Sequence, residues 1–152
     1  MFESRPGKPL LIRIGAVVSL LFGTLFLSAA VDVAVSTLRL LFGASMPPEP
    51  PGPPSWGTTM ASSFTFMTTL GTLALGIAWG FFKERTWARH LVMAYWVVWC
   101  AASYWASAEM GDASRGILRV LYNVPCAVLS FFYFYMAPWI QEYYRRLSLR
   151  EA

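Results

Sequence analysis

Four long apolar stretches constrain the fold of this chain more than any other feature of its sequence. They cover residues 10–31, 60–82, 90–108 and 117–140. A helix needs roughly 20 mainly apolar residues to cross the hydrocarbon core of a bilayer, which is about 30 Å thick. Each stretch is about that long, so we predict an all-α membrane protein with four transmembrane helices in an antiparallel bundle. One four-span domain then covers residues 1–152.

The overall composition excludes a water-soluble enzyme. Hydrophobic residues make up 57% of the chain and charged residues only 13%, whereas about a quarter of the residues in a soluble domain are charged. The net charge is +4, but the basic residues stand at the ends of apolar stretches and not on a soluble face. We therefore expect the lipid bilayer as a partner and no nucleic acid.

The connections between the stretches differ in character. Residues 46–57 are rich in proline, which predicts an extended strap on the outer side of the membrane. Residues 33–44 have an amphipathic pattern, which fits either an extra helix in the membrane interface or a plain continuation of the first span. The two later connections are short, which favours antiparallel neighbours.

The distribution of positive charge predicts how the chain is threaded. Lys and Arg in short loops are retained in the cytoplasm. In a four-span arrangement Arg39, Arg115 and Arg119 lie on one side, and the remaining basic residues lie on the other: Arg5, Lys8, Arg13, Lys83, Arg85, Arg89, Arg145, Arg146 and Arg150. We therefore expect both termini in the cytoplasm and the protein in a bacterial inner membrane.

The amino-terminal stretch has a competing interpretation as a secretory signal. Basic residues, an apolar run and the small residues Ser28, Ala29 and Ala30 resemble a signal with its cleavage site. Cleavage after Ala30 would leave three spans. The apolar run is longer than a usual signal core, and this favours a span.

Small residues recur at helical spacing along the first two stretches. The first stretch carries Gly15, Ser19 and Gly23 at intervals of four. The second carries a longer series, namely Ser62, Thr65, Thr69, Thr72, Gly76 and Gly80. Helices in lipid gain little from apolar contact alone, so small residues mark surfaces where two helices approach closely. We predict packing within the chain, and a docking face for a partner or a second copy is the alternative.

The fourth stretch has a polar face that we expect to point into the bundle. That face consists of Arg115, Arg119, Asn123, Cys126, Ser130 and Tyr133. Polar groups inside a span are unfavourable unless paired, and they are candidates for function. We predict an outward-facing ligand pocket lined by Asp32, Arg119, Asn123 and Tyr104. The simpler interpretation is an ion pair between Asp32 and Arg119 that only fixes the helix register.

The sequence offers few residues that could bind a metal or a haem or act in catalysis. His90 is the single histidine, which excludes a bis-histidine haem or a histidine-rich metal site built by one chain. Cys100 and Cys126 both lie near the middle of apolar stretches, which fits either a redox pair or two buried free thiols, and no neighbouring base is present to form a thiolate. We expect no cofactor, no metal and no catalytic residues.

These features predict a non-catalytic integral membrane protein. An accessory or structural subunit of a larger membrane complex is the favoured interpretation, with other membrane subunits or a second copy as partners. The alternative is a small transporter or a carrier of a lipid or small ligand, which would use the outward-facing pocket.

Overall fold

The protein is all-helical in the part of the chain that the structure describes. The structure, a computed structural model, describes residues 9–42, 56–109 and 113–151. Its helices are α1 (Leu10–Leu41), α2 (Trp56–Phe82), α3 (Ala88–Glu109), α4 (Ala113–Phe131) and α5 (Pro138–Glu151), with a π-helical segment (Phe132–Met136) between α4 and α5. By length and composition, α1, α2, α3 and α4 with the π segment could each cross a membrane.

Helix α1 is one continuous helix of 32 residues. The expectation of a separate interfacial helix after the first span is therefore wrong, and the alternative of a plain continuation describes the structure. The physical reason lies in the sequence, because no glycine or proline interrupts the chain between Gly23 and Gly43. At about 1.5 Å per residue the helix is about 48 Å long, well beyond the roughly 30 Å of a hydrocarbon core.

Helices α1 and α2 make the most extensive contact in the protein. Gly23 lies against Leu75, and a Cβ atom added at Gly23 would stand 2.7 Å from Leu75 Cδ2. The same relation holds in reverse between Gly71 and Leu27, where the distance is 2.8 Å to Leu27 Cγ. Each glycine therefore packs against a leucine of the opposite helix. Residues later in α1 contact residues earlier in α2.

Helix α3 packs between α2 and α4. Gly80 of α2 lies against Ala88 at the start of α3, and the indole Nε1 of Trp96 donates a hydrogen bond of 3.0 Å to Ser130 Oγ of α4. No comparably extensive contact joins α1 to α4. The four long helices thus follow one another in chain order, and a gap remains between the first and the last.

The turn between α2 and α3 contains a residue with left-handed backbone. Glu84 has φ of 56°. Its N–H donates to Phe81 O, and the N–H of Arg85 donates to Gly80 O at 2.8 Å. This pair of hydrogen bonds closes the end of α2 as a Schellman motif, whose left-handed position most often holds glycine.

The fourth apolar stretch ends earlier than residue 140, the boundary expected from its hydropathy. Ala137 is extended, with ψ of 117°, as the residue before a proline must be. Pro138 then begins α5. The side-chain amide of Gln141 donates to the carbonyl oxygen of Tyr135, next to the break. The Pro-rich strap lies outside the described residues except for Trp56 and Gly57, which begin α2.

A buried cluster lies at the end of the structure where α1 begins, α2 ends and α3 begins. We call this end of the structure the α5 end. Helix α5 contributes the apolar residues Ile140, Tyr143, Tyr144 and Leu147, which meet Ile12, Ala16, Ile77, Phe81, Ala88 and Phe134. The guanidinium of Arg89 lies 5.3 Å from the ring centroid of Tyr135 and 5.1 Å from that of Tyr144. These cation–π contacts connect α3, the π segment and α5.

Candidate functional site: a groove between α1 and α4 and two adjoining cavities

The gap between α1 and α4 forms a cavity of about 1010 Å³. We call it the lateral groove. Residues from every long helix line it, including Ser19 of α1, Trp96 and Trp99 of α3, and Asn123 of α4. Its walls are mostly apolar, and it extends from the α5 end to the middle of the helices. Its volume lies at the upper end of the range of about 300–1,000 Å³ for small-molecule sites.

The polar groups of the lateral groove are few and mostly occupied. Ser130 accepts the hydrogen bond from Trp96, and the Asn123 amide donates to the carbonyl oxygen of Arg119 at 2.8 Å. The Tyr133 hydroxyl is buried and has no hydrogen-bond partner in residues 9–42, 56–109 and 113–151. A buried hydroxyl without a partner is unfavourable.

A smaller cavity of about 540 Å³ adjoins the lateral groove at the α5 end. We call it the interfacial pocket. Leu11 lines both cavities. The other walls of the interfacial pocket include Trp139, Glu142 and Arg146 of α5. The space between α1 and α4 therefore continues from an apolar groove into a pocket with charged walls.

Glu142 of the interfacial pocket is held by two arginines. Its Oε1 accepts from Arg146 Nε at 2.7 Å, and its Oε2 accepts from Arg145 Nε at 2.8 Å. Hydrogen bonds from Arg145 and Arg146 lower the pKa of the Glu142 carboxyl to about 2. Two guanidinium groups and one carboxylate leave this surface with a net positive charge.

A third cavity of about 490 Å³ lies toward the other end of the helices, where α1 ends and α2 begins. We call this the distal cavity. Arg119 lines it together with the hydroxyl-bearing residues Thr59, Ser62, Ser63 and Ser103. Aromatic side chains, including Phe26 and Trp99, form the rest of its wall. An arginine among hydroxyl groups can bind an anionic or strongly polar group.

The structure separates the residues of the predicted outward-facing pocket. Arg119 lines the distal cavity, but Asn123 lines the lateral groove, and Asp32 and Tyr104 line neither. Tyr104 packs instead against Gly116, whose added Cβ would lie 3.2 Å from Tyr104 Cδ2. Both Asp32 and Arg119 are exposed, and no ion pair joins them in the described part of the chain.

The small residues predicted to pack helices fall into two groups. Gly15 lies 3.4 Å, measured from an added Cβ, from Phe81 Cε2, and Gly23, Gly76 and Gly80 each face a side chain of a neighbouring helix. Ser19 instead lines the lateral groove. Thr72 is exposed, as are Thr69 and Thr65, which lie about one and two turns before it.

The polar face of α4 is also divided. Asn123, Ser130 and Tyr133 are partly buried toward the lateral groove, but Arg115, Arg119 and Cys126 are exposed. The prediction that the whole face points inward is therefore wrong for Arg115 and Cys126, whereas Arg119, although exposed, lines the distal cavity between the helices. The periodicity of polar residues did not reveal that α1 stays away from α4.

The remaining candidate residues are His90 and the two cysteines. His90 Nδ1 lies 2.7 Å from the Tyr135 hydroxyl, within hydrogen-bond distance. Cys100 and Cys126 are both free thiols. No group of three His, Cys, Asp or Glu side chains that could hold a metal ion occurs in the described ranges, which omit residues 1–8, 43–55, 110–112 and 152.

Sequence reasoning missed several residues of these cavities. Ser63 and Ser103 lie on the distal cavity, and Arg146 lies on the interfacial pocket. A signal for the first two was present, because both follow the helical spacing of polar residues. For Arg146 the signal was its position just after a proline break, where a helix can turn back toward the bundle.

Comparisons with protein-family models, with curated proteins and with solved structures gave no match for this chain.

Proposed function

We propose that this chain is a non-catalytic integral membrane protein that serves as an accessory or structural subunit of a larger membrane complex. In this arrangement α1 to α4 cross a bacterial inner membrane as an antiparallel bundle, with both termini in the cytoplasm. The four helices long and apolar enough to cross support the membrane location. The charge distribution of the sequence supports the orientation.

One observation carries the subunit role, namely the exposed hydroxyl series of α2. Thr65, Thr69 and Thr72 are exposed, because α1 and α3 cover the other sides of α2. Each hydroxyl donates to a carbonyl oxygen four residues earlier in its own helix at 2.8 Å. The side chains on this surface are therefore short, and their polar groups already have hydrogen-bond partners. Such a surface lets another helix approach closely in lipid.

The test is to enlarge this surface without disturbing the bundle. The complex is purified with the chain at its native stoichiometry from mild detergent, and partners are identified in the purified material. In Thr69→Phe we expect fixed partners to be lost, because a large ring prevents close approach. Thr24→Phe is the matched control, since Thr24 is likewise exposed and bonds to its own helix at 2.9 Å.

Partner retention in Thr69→Phe would contradict docking through this surface. If the wild-type chain also purifies without partners, the subunit role itself is contradicted. In that case the second candidate, a small carrier of a lipid or polar ligand, is favoured by the distal cavity, where Arg119 lies among hydroxyl groups. Binding of an anionic ligand that is lost in Arg119→Gln would support that function.

A further inference from the structure

We propose that the lateral groove and the interfacial pocket together bind one anionic phospholipid. Its hydrocarbon chains lie along the groove between α1 and α4, and its phosphate lies in the interfacial pocket beside Arg146. This inference rests on the membrane location proposed above, but it does not depend on a partner complex.

The first argument is continuity between an apolar and a charged cavity. The groove of about 1010 Å³ and the pocket of about 540 Å³ share Leu11 in their walls. The pocket walls from α5 follow Pro138, beyond the last residue of the fourth candidate span, Met136. Headgroups lie at that level when the span is in the membrane. An amphipathic ligand matches this sequence of surfaces.

The second argument is charge. Arg146 donates to Glu142 through Nε, and neither of its Nη groups has a hydrogen-bond partner in the described residues. A second arginine, Arg145, contacts the same carboxylate from outside the pocket. The pocket therefore offers the free guanidinium donors of Arg146, which match a phosphodiester. Trp139 in the pocket wall is typical of the headgroup level.

The third argument is the unsatisfied hydroxyl of Tyr133. It lies three residues before Met136, near the α5 end of the groove, and its hydroxyl has no partner among the described residues. In a bound phospholipid the ester groups connect phosphate to chains, so they would lie between the pocket and the groove. The hydroxyl oxygen is covered in the structure, so we expect the Tyr133 side chain to turn toward the groove and donate to an ester carbonyl when the lipid binds.

The first experiment tests the charged end. The full chain is purified in detergent, phosphatidylglycerol or phosphatidylcholine with identical chains is added, and retained lipid is counted by native mass spectrometry. We expect the wild type to prefer phosphatidylglycerol, and Arg146→Gln to reduce that preference about fivefold. Arg145→Gln is the matched control: it removes the same charge from α5, but Arg145 does not line the pocket. An equal reduction in both variants, or no preference in the wild type, would overturn the proposal.

The second experiment tests the apolar end. Ser19→Phe places a ring in the lateral groove, and Ser28→Phe places the same ring on an exposed part of α1 outside it. We expect Ser19→Phe to lose retention of both lipids and Ser28→Phe to keep it, with equal helix content by circular dichroism. Unchanged retention in Ser19→Phe would overturn the proposal. A lipid-free dimer that dissociates in Ser19→Phe would overturn it in favour of a second copy.

These results are separable from the test of membrane location. If the chain is recovered in the soluble fraction of cells, the proposed function fails. If it is recovered in membranes but retains no phosphatidylglycerol after purification, only the lipid site fails.

Discussion

Glu84 is the residue whose backbone conformation is least suited to its side chain. Its φ of 56° lies in the left-handed region, where a side chain carries a steric cost of about 1 kcal/mol that glycine avoids. We expect Glu84→Gly to be more stable than Glu84→Ala by about 1 kcal/mol, because both variants lose the same side-chain contacts and differ only in the Cβ atom. Unfolding by sodium dodecyl sulfate, followed by tryptophan fluorescence, measures the difference.

The neighbouring Lys83 is the control for this comparison, since its φ is not positive. There glycine should be less stable than alanine, because glycine loses more backbone freedom on folding. The same order of stability at both positions would mean that the left-handed conformation does not limit the turn.

Glu142 makes the stability of the fold depend on pH. Hydrogen bonds from Arg145 and Arg146 lower the pKa of its carboxyl from 4.5 to about 2 in the folded protein. A lowered pKa stabilises the fold above the unfolded value, and this contribution is lost as pH falls through the folded value. We expect the wild type to unfold at a higher temperature than Glu142→Gln near neutral pH, with the difference disappearing between pH 4.5 and about 2.

Thermal unfolding in detergent over that range provides the measurement. A difference between the two proteins that stays constant with pH would show that Glu142 acts through packing and not through its charge.

At the scale of single residues, sequence reasoning identified polar groups but not their partners. Arg119 and Asn123 share a helix face by spacing, yet they line different cavities. Asp32 was matched to Arg119 because both stand near span ends on the same predicted side. That reasoning fixes depth but not position around the bundle, and two exposed charges at similar depth need not meet.

At the scale of helices, the length of apolar runs predicted the number of long helices. The ends were harder to predict. The continuation of α1 to Leu41 and the break at Ala137 depend on local backbone chemistry. The absence of glycine and proline after Gly23 explains the first, and Pro138 explains the second. Hydropathy detects neither, because both segments remain mostly apolar.

The glycines of α1 and α2 allow a graded test of helix packing. An added Cβ would lie 2.7 Å from Ala88 Cβ at Gly80, 2.9 Å from the flexible Leu91 Cδ1 at Gly76, and 3.4 Å from Phe81 Cε2 at Gly15. Gly80→Ala should therefore destabilise by about 1–3 kcal/mol, because Ala88 cannot move without its backbone. Gly15→Ala should stabilise by about 0.5–1 kcal/mol through its better helix propensity, and Gly76→Ala should lie between them.

Detergent unfolding of the three variants ranks them directly. If Gly80→Ala is as stable as Gly15→Ala, then the contact of α2 with the start of α3 is looser than the structure describes.

At the scale of the whole molecule, the helices follow one another in chain order and leave α1 and α4 apart. Four amphipathic or apolar helices of this length can also close into a ring, and sequence patterns do not distinguish the two arrangements. Helix α5 occupies one end of the structure, where Ile140, Tyr143, Tyr144 and Leu147 join the buried cluster. Its contribution was not apparent from hydropathy, because α5 is too polar to stand out.

The orientation in the membrane is testable with two engineered cysteines. Cys100 and Cys126 are first replaced by alanine. Cysteine is then introduced at Phe42, which is 87% exposed, or at Ser148, which is exposed at the α5 end. In intact cells a membrane-impermeant maleimide should label the first variant and not the second, because the proposed orientation places the α5 end, with its basic residues, in the cytoplasm.

Lysed cells provide the control, since both variants should then react. Labelling of Ser148→Cys but not Phe42→Cys in intact cells would reverse the orientation, and labelling of both would contradict a fixed one.

The cluster at the α5 end brings together two parts of the chain that are made at different times. Ile12 emerges early from the ribosome, whereas Leu147 emerges only after every long helix has been synthesised, and both are buried in the same cluster. During translation the first turns of α1 are therefore only partly covered until α5 has been made. A chain shortened within α5 would keep all its long helices and still leave this cluster open. Proteases that recognise exposed apolar surface would thus distinguish finished from unfinished copies at this one end.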